Sequence, residues 1–192
     1  MRFIGMLFAG ILALTGPALV QAAPNVLDKC HAHVTFKVSH LGFSMVHGQF
    51  RKFDANIDFD PGNVEATSVT FQIDAASVDT FWPARDKDLR SKRFLNVAEH
   101  PTITFTSTKV TPTGTETADV EGDVTILGVT KPVVFKAKLN KLAPSPFKKD
   151  TTIAGFTVTG TLDRTEFGMT YAAPAIGAII EIRLDLEISP AK

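Results

Sequence analysis

The chain has 192 residues, 20 Lys+Arg against 20 Asp+Glu, and a hydrophobic share of 44%. So even a balance, with no polybasic run, excludes a nucleic-acid or anionic-headgroup surface built on net charge. The single cysteine, Cys30, excludes an internal disulfide, so stability must come from the core, and the residue is expected to be a small buried side chain.

The chain opens on Met1-Arg2 and an uncharged apolar run from Phe3 to Leu14, followed by Gly16-Pro17 and Val20-Gln21-Ala22. The run is short for a membrane span, and the pattern predicts a secretory signal over residues 1–22 with cleavage after Ala22 or Ala23. The protein is then expected in the periplasm or secreted. Residues 23–192, about 170, suit one all-β domain.

Eight strands are predicted at about residues 33–40, 46–59, 65–74, 102–110, 117–127, 132–142, 152–163 and 178–189, from alternation with period two. In the second, Val46, Gly48 and Phe50 share one face and Phe53, Ala55, Ile57 and Phe59 the next, so a bulge is expected near Arg51-Lys52. A charged stretch, Pro83 to Glu99, breaks the pattern and predicts a short helical segment near 84–98, ended before Pro101. The clearest strand follows, with Ala118, Val120, Gly122, Val124 and Ile126 alternating with Asp119, Glu121, Asp123 and Thr125. Val133, Phe135, Ala137 and Leu139 alternate with Lys136, Lys138 and Asn140, and the last strand, Ala178 to Ile188, alternates with Glu181, Arg183, Asp185 and Glu187. Connections are marked at Asp60-Pro61-Gly62-Asn63, Thr111 to Thr115, Leu127-Gly128-Val129-Thr130 and Pro144-Ser145-Pro146, the hairpin at Gly128 being the tightest. Strands with one wet face and almost no helix pack two sheets or close a barrel, and eight is the number of a small closed barrel.

Several blocks carry a family resemblance. They are Asp28 to Phe36, His40-Leu41-Gly42-Phe43-Ser44 and Gly48-Gln49-Phe50; Asp86 to Ser91 with Phe94 to Val97; Pro101 to Ser107; Gly122 to Val133; and Arg164 with Phe167-Gly168-Met169. In order and over essentially all of residues 23–192, the chain resembles the YceI-like family. The resemblance implies a lipocalin-like, eight-stranded antiparallel β-barrel with a helical segment. It also implies a periplasmic or secreted protein that holds a polyisoprenoid or other long amphiphile inside the barrel.

The residues themselves leave the interior open to two readings. Fifteen Phe stand against one Trp and one Tyr; rings without a polar handle suit a dry tunnel, but they equally fill a solid core, as small barrels usually do. Gly48, Gly122, Ala137, Gly155 and Gly160 on the apolar faces favour a cavity, and the resemblance favours it further. The expected lining is Val34, Phe36, Val38, Phe50, Phe71, Ile73, Phe105, Val124, Phe135, Phe156, Val158, Phe167, Met169 and Ile182. Trp82, Arg85, Arg90 and Arg93 are candidates for a polar head, against a bland alternative in which the charges are solvated or Asp86 and Arg90 pair at i,i+4.

No G-x-S-x-G elbow, Cys–His constellation or Gly-rich phosphate loop is present, so neither an enzyme nor a cofactor is expected. The expected partners are a long-chain isoprenoid, quinone or fatty-acyl ligand, transient contact with a membrane or membrane protein, and a second copy in a homodimer. The rival reading is a metal- or surface-interacting structural module with a filled barrel. In it His31 and His33 share a strand face that His40 or His47 approaches, although no carboxylate or cysteine pattern completes a metal set.

Overall fold

A computed structural model describes residues 25–190. The predicted signal segment and its cleavage positions lie outside them. Strands β1 (Asn25–Leu27), β2 (His33–His40), β3 (Ser44–Phe50), β4 (Phe53–Asp58), β5 (Ser68–Asp74) and β6 (Val78–Asp79) precede α1 (Pro83–Leu89), the one α-helix among the described residues. After it come β7 (Thr102–Pro112), β8 (Thr117–Ile126), β9 (Val129–Pro144), β10 (Thr152–Asp163) and β11 (Ile176–Pro190).

These eleven segments make eight staves. β1 and β2 form one stave bent at residues 28–32, since both pair with β11. β3 and β4 form the second, interrupted at Arg51 and Lys52 where the change of phase requires it. β5 and β6 form the third, bent by the 3-10 turn Ala75–Ser77. All pairings are antiparallel between neighbours, and the barrel closes where β11 meets β2 (Ile182 opposite Phe36) and where β1 bridges β11 and β4 (Val26 opposite Ser189, Asn25 opposite Ile57). The result is a closed eight-stranded antiparallel barrel.

Period-two alternation survives as burial. In β8 every residue from Ala118 to Ile126 with an even number is buried, and in β9 Lys136, Lys138 and Asn140 are exposed while Phe135 is buried. The β8–β9 hairpin turns on Leu127 (φ 53°) and Gly128 (φ 75°), two successive left-handed residues whose twist matches the strands they join.

The helical segment differs from expectation. It stops at Leu89, and residues 90–100 are a run of turns in which Asn96 is left-handed (φ 42°) and the Leu95 N–H donates to the Leu89 carbonyl. Leu89 and Phe94 both face the interior. Five residues apart on a continuous helix they would point about 140° from one another, so the chain breaks the helix to turn both inward. Together with residues 164–175 this segment closes one end of the barrel, called the cap below.

Cys30 is exposed, contrary to expectation. It sits in the turn between β1 and β2, where its N–H donates to Asp28 Oδ1 (3.0 Å) and the His31 N–H to the Asp28 carbonyl (3.1 Å), so the bend lifts it off the barrel wall.

Candidate ligand cavity

The barrel is not filled. A cavity of about 270 Å³ runs inside it, near the lower end of the range of small-molecule pockets (about 300–1,000 Å³). Thr35, Thr67, Thr104 and Arg164 are the polar residues on its wall, and every other lining residue is apolar.

The wall is built from the inward face of each stave. β2 contributes Val34, Phe36 and Val38; β3 contributes Phe50; β5 contributes Phe71 and Ile73. Phe105 comes from β7, Val124 from β8, Phe135 from β9, Phe156 and Val158 from β10, and Ile182 from β11, with Met169 from the cap. Of the expected lining only Phe167 is displaced. It lies in the 3-10 turn Arg164–Phe167, 2% exposed, packed into the core at the cap without reaching the cavity. Period-two alternation does not extend to this position, because the chain has left the strand. Three aromatic contacts between lining residues order the interior: Phe36 and Phe50 have ring centroids 5.6 Å apart, Phe59 meets Phe156 edge to face at 5.0 Å, and Phe105 meets Phe135 edge to face at 5.4 Å.

The cap makes a contribution of its own that the strand pattern does not reveal. Leu89, Phe94 and Leu95 close the cavity from above, a role hidden by the charges that surround them in the sequence. Arg164, one of the residues that carry the family resemblance but not part of the expected lining, is 3% exposed and lines the cavity. Its guanidinium donates from Nε to the Gly177 carbonyl (2.9 Å), from one terminal nitrogen to the Ile176 carbonyl (2.8 Å), and from the other to the Met169 carbonyl. One side chain thus pins both ends of the 164–177 segment. Burial pulls the Arg164 pKa down, with the nearby Asp163 carboxylate opposing. The Asp163 side chain accepts from the Thr165 N–H (2.8 Å) and hydroxyl (2.6 Å), which holds its own pKa low and starts the turn.

The four head-group candidates do not reach the wall. Arg85 donates to the Thr80 hydroxyl (2.7 Å) and carbonyl (2.6 Å), and Arg90 to the Ala76 and Val78 carbonyls (both 2.7 Å). Arg93 pairs with Asp88 and lies 4.8 Å from the Tyr171 ring centroid, and Trp82 is exposed. Arg85 and Arg90 thus fasten the helical segment to the β5–β6 stave and the residue that follows it, while Arg93 ties the segment to Tyr171. The i,i+4 alternative fails too: Asp86 is buried and accepts from the Thr80 N–H (2.8 Å) and hydroxyl, leaving Arg90 to the backbone.

The histidines do not converge. His33 and His40 stand at opposite ends of β2, about 23 Å apart at the rise of a strand, and His47 on β3 stands opposite Lys37 on β2. His31 instead meets Asp28 (Nδ1 to Oδ2 3.1 Å) and Glu187 (3.9 Å) on the outside of the far end. Its hydrogen bond to Asp28 raises its pKa, and the same bond lowers that of Asp28.

A closed antiparallel barrel with an apolar interior and a pinned cap belongs to the broad class of small calyx-like barrels that can enclose a ligand. The YceI-like domain model matches residues 26–188, and the chain belongs to the YceI-like family. A UPF0312 protein of Ectopseudomonas mendocina is 42% identical over 186 residues, covering 96% of this chain and 95% of that protein. The Campylobacter jejuni YceI crystal structure is 31% identical, covers 87% of this chain and 98% of its own, and superposes with a TM-score of 0.74. A polyisoprenoid binding domain from Saccharophagus degradans, implicated in plant cell wall breakdown, shares the fold at a TM-score of 0.66 with 13% identity, over 88% of this chain and 99% of that one.

Proposed function

We propose that the protein is a binding protein rather than an enzyme, and that it holds a polyisoprenoid or similar long-chain amphiphile inside the barrel for carriage, storage or stress response in the periplasm. The observation that carries this reading is the cavity wall. Apart from Thr35, Thr67 and Thr104 it is apolar on every stave, and the donors of its one charged residue are directed to backbone carbonyls. Membership of the YceI-like family, and the name of the Saccharophagus degradans domain, support a prenyl ligand.

The energetics favour exchange over capture from water. Burying a chain is worth roughly 0.8 kcal/mol per CH₂ relative to water, yet affinities saturate near about −20 kcal/mol, so a long prenyl chain cannot realise the full sum. A membrane lipid starts in an apolar medium, and transfer to an apolar barrel changes its free energy little. A carrier of this kind needs a dry, shaped interior and neither a nucleophile nor a metal.

Loading the delipidated protein with geranylgeraniol, and comparing Phe105→Glu with His31→Ala, tests the reading. Phe105→Glu is expected to lose the lipid and to weaken the fold together, since it buries an unpaired carboxylate; His31→Ala is expected to do neither. A folded Phe105→Glu protein that still retains geranylgeraniol overturns this lining.

A further inference from the structure

Three glycines on the inward face of the barrel lie beneath phenylalanine rings from neighbouring strands. Gly48 is the cross-strand partner of Phe36, and a Cβ built on it would fall 2.3 Å from Phe36 Cζ. On Gly160 a Cβ would fall 2.4 Å from Phe135 Cδ1, and on Gly122 2.5 Å from Phe105 Cε2. Non-bonded carbons do not approach so closely, since optimal contact is about 3.5–4.0 Å. Each ring therefore occupies space that any other residue on the adjacent strand would fill. The rings reach the cavity and the glycines under them do not.

We infer that Gly48, Gly122 and Gly160 set the bore of the cavity by seating Phe36, Phe105 and Phe135 flat against the wall, and that this bore admits a methyl-branched prenyl chain. The inference rests on the lipid-binding reading above. A prenyl chain carries a methyl group every four carbons and is thicker than a straight acyl chain, so it is the first to be excluded when the lumen narrows. A Cβ at Gly48 or Gly160 forces the ring off its seat. The ring springs from an inward-facing position between packed strands, and the lumen is the space left to it. Because Phe135 already touches Phe105, displacement of one ring is passed to the other.

The three seats are not equivalent. A Cβ at Gly122 would also fall 2.4 Å from the Thr106 carbonyl oxygen, which is backbone and cannot swing away, so substitution there damages the fold. Gly155, which the sequence placed with the apolar face, has nothing within 4 Å of its Cβ position and does not line the cavity. It lies on β10 with Gly160 and supplies the matched control.

The experiment measures binding of geranylgeraniol and of palmitic acid, each by titration into the delipidated protein, for the native chain and for Gly48→Ala, Gly160→Ala and Gly155→Ala, with near-ultraviolet circular dichroism as the folding check. Gly48→Ala and Gly160→Ala are expected to weaken geranylgeraniol about tenfold, the loss of a couple of buried methylenes, and palmitate clearly less; Gly155→Ala is expected to match the native chain. Folded Gly160→Ala that binds geranylgeraniol as tightly as the native chain overturns the inference, and so does equal weakening of both probes. If Gly160→Ala fails to fold, adding Phe135→Leu removes the displaced ring and is expected to restore fold and binding; failure of that pair to recover also overturns it. A native chain that binds neither probe instead defeats the lipid reading on which the inference rests.

Discussion

Replacing Arg164 with methionine keeps much of the side-chain volume and removes the charge and every donor. Three backbone carbonyls, of Met169, Ile176 and Gly177, then lose their partner inside the cap. Hydrogen bonds to a charged group are worth about 1.5–3 kcal/mol each, so the gross loss is about 6 kcal/mol. Against it stands the relief of no longer burying a guanidinium that is 3% exposed, worth several kcal/mol. The net expectation is a destabilisation of about 3 kcal/mol. For a domain of this size that lowers Tm by about 6–12 °C, and urea titration of the purified protein reads it directly. Arg164→Lys should fall between the two, because one ammonium cannot reach three carbonyls set out for a planar fork. An Arg164→Met protein within about 0.5 kcal/mol of the native chain would refute the account of Arg164 as the pin of the cap.

Three further outcomes are expected. Asp86→Ala strands the buried Thr80 N–H and should cost about 1–3 kcal/mol by denaturant titration, with the helical segment losing hydrogen-exchange protection before the strands; uniform protection across both would contradict its role as the anchor of that segment. By NMR, His31 should titrate above the ordinary imidazole value of about 6.5, and Asp28→Asn should bring it back. With its folded pKa raised, the contribution of His31 to stability is complete below the unfolded value and fades as pH rises through the folded one. The contribution of Asp28, whose pKa is lowered, is present above its unfolded value and is lost as pH falls through the folded one. Phe36→Asp should share the fate of Phe105→Glu, losing retained lipid and fold together, as judged by organic extraction and a thermal melt of the same preparation.

The barrel was legible because its signal is local. Val120, Val124 and Ile126 face inward for the same reason that Glu121 and Asp123 do not, and a strand of period two declares both faces within a few residues. The bend at Arg51-Lys52 was readable from the change of phase alone. What the sequence hid depends on distant partners. Arg85 and Arg90 resemble free cations until the β5–β6 stave supplies carbonyls to receive them. Phe167 and Met169, two residues apart, share one face by period two, yet only Met169 reaches the cavity, since the chain leaves the strand through a 3-10 turn and a left-handed Gly168. Leu89, Phe94 and Leu95 form the lid only because the helix ends early. The sequence reads Cys30 as buried because isolated cysteines usually are, whereas the bend that lifts it is made by the Asp28 side chain.

The central claim is that this barrel carries hydrocarbon. Native mass spectrometry of the protein, purified without detergent from cells that express it and followed by organic extraction and lipid identification, is the decisive test. An adduct of prenyl or fatty-acyl mass that leaves on denaturation is expected; a clean apoprotein mass, unchanged after incubation with isoprenoids, would contradict a lipid-carrying barrel.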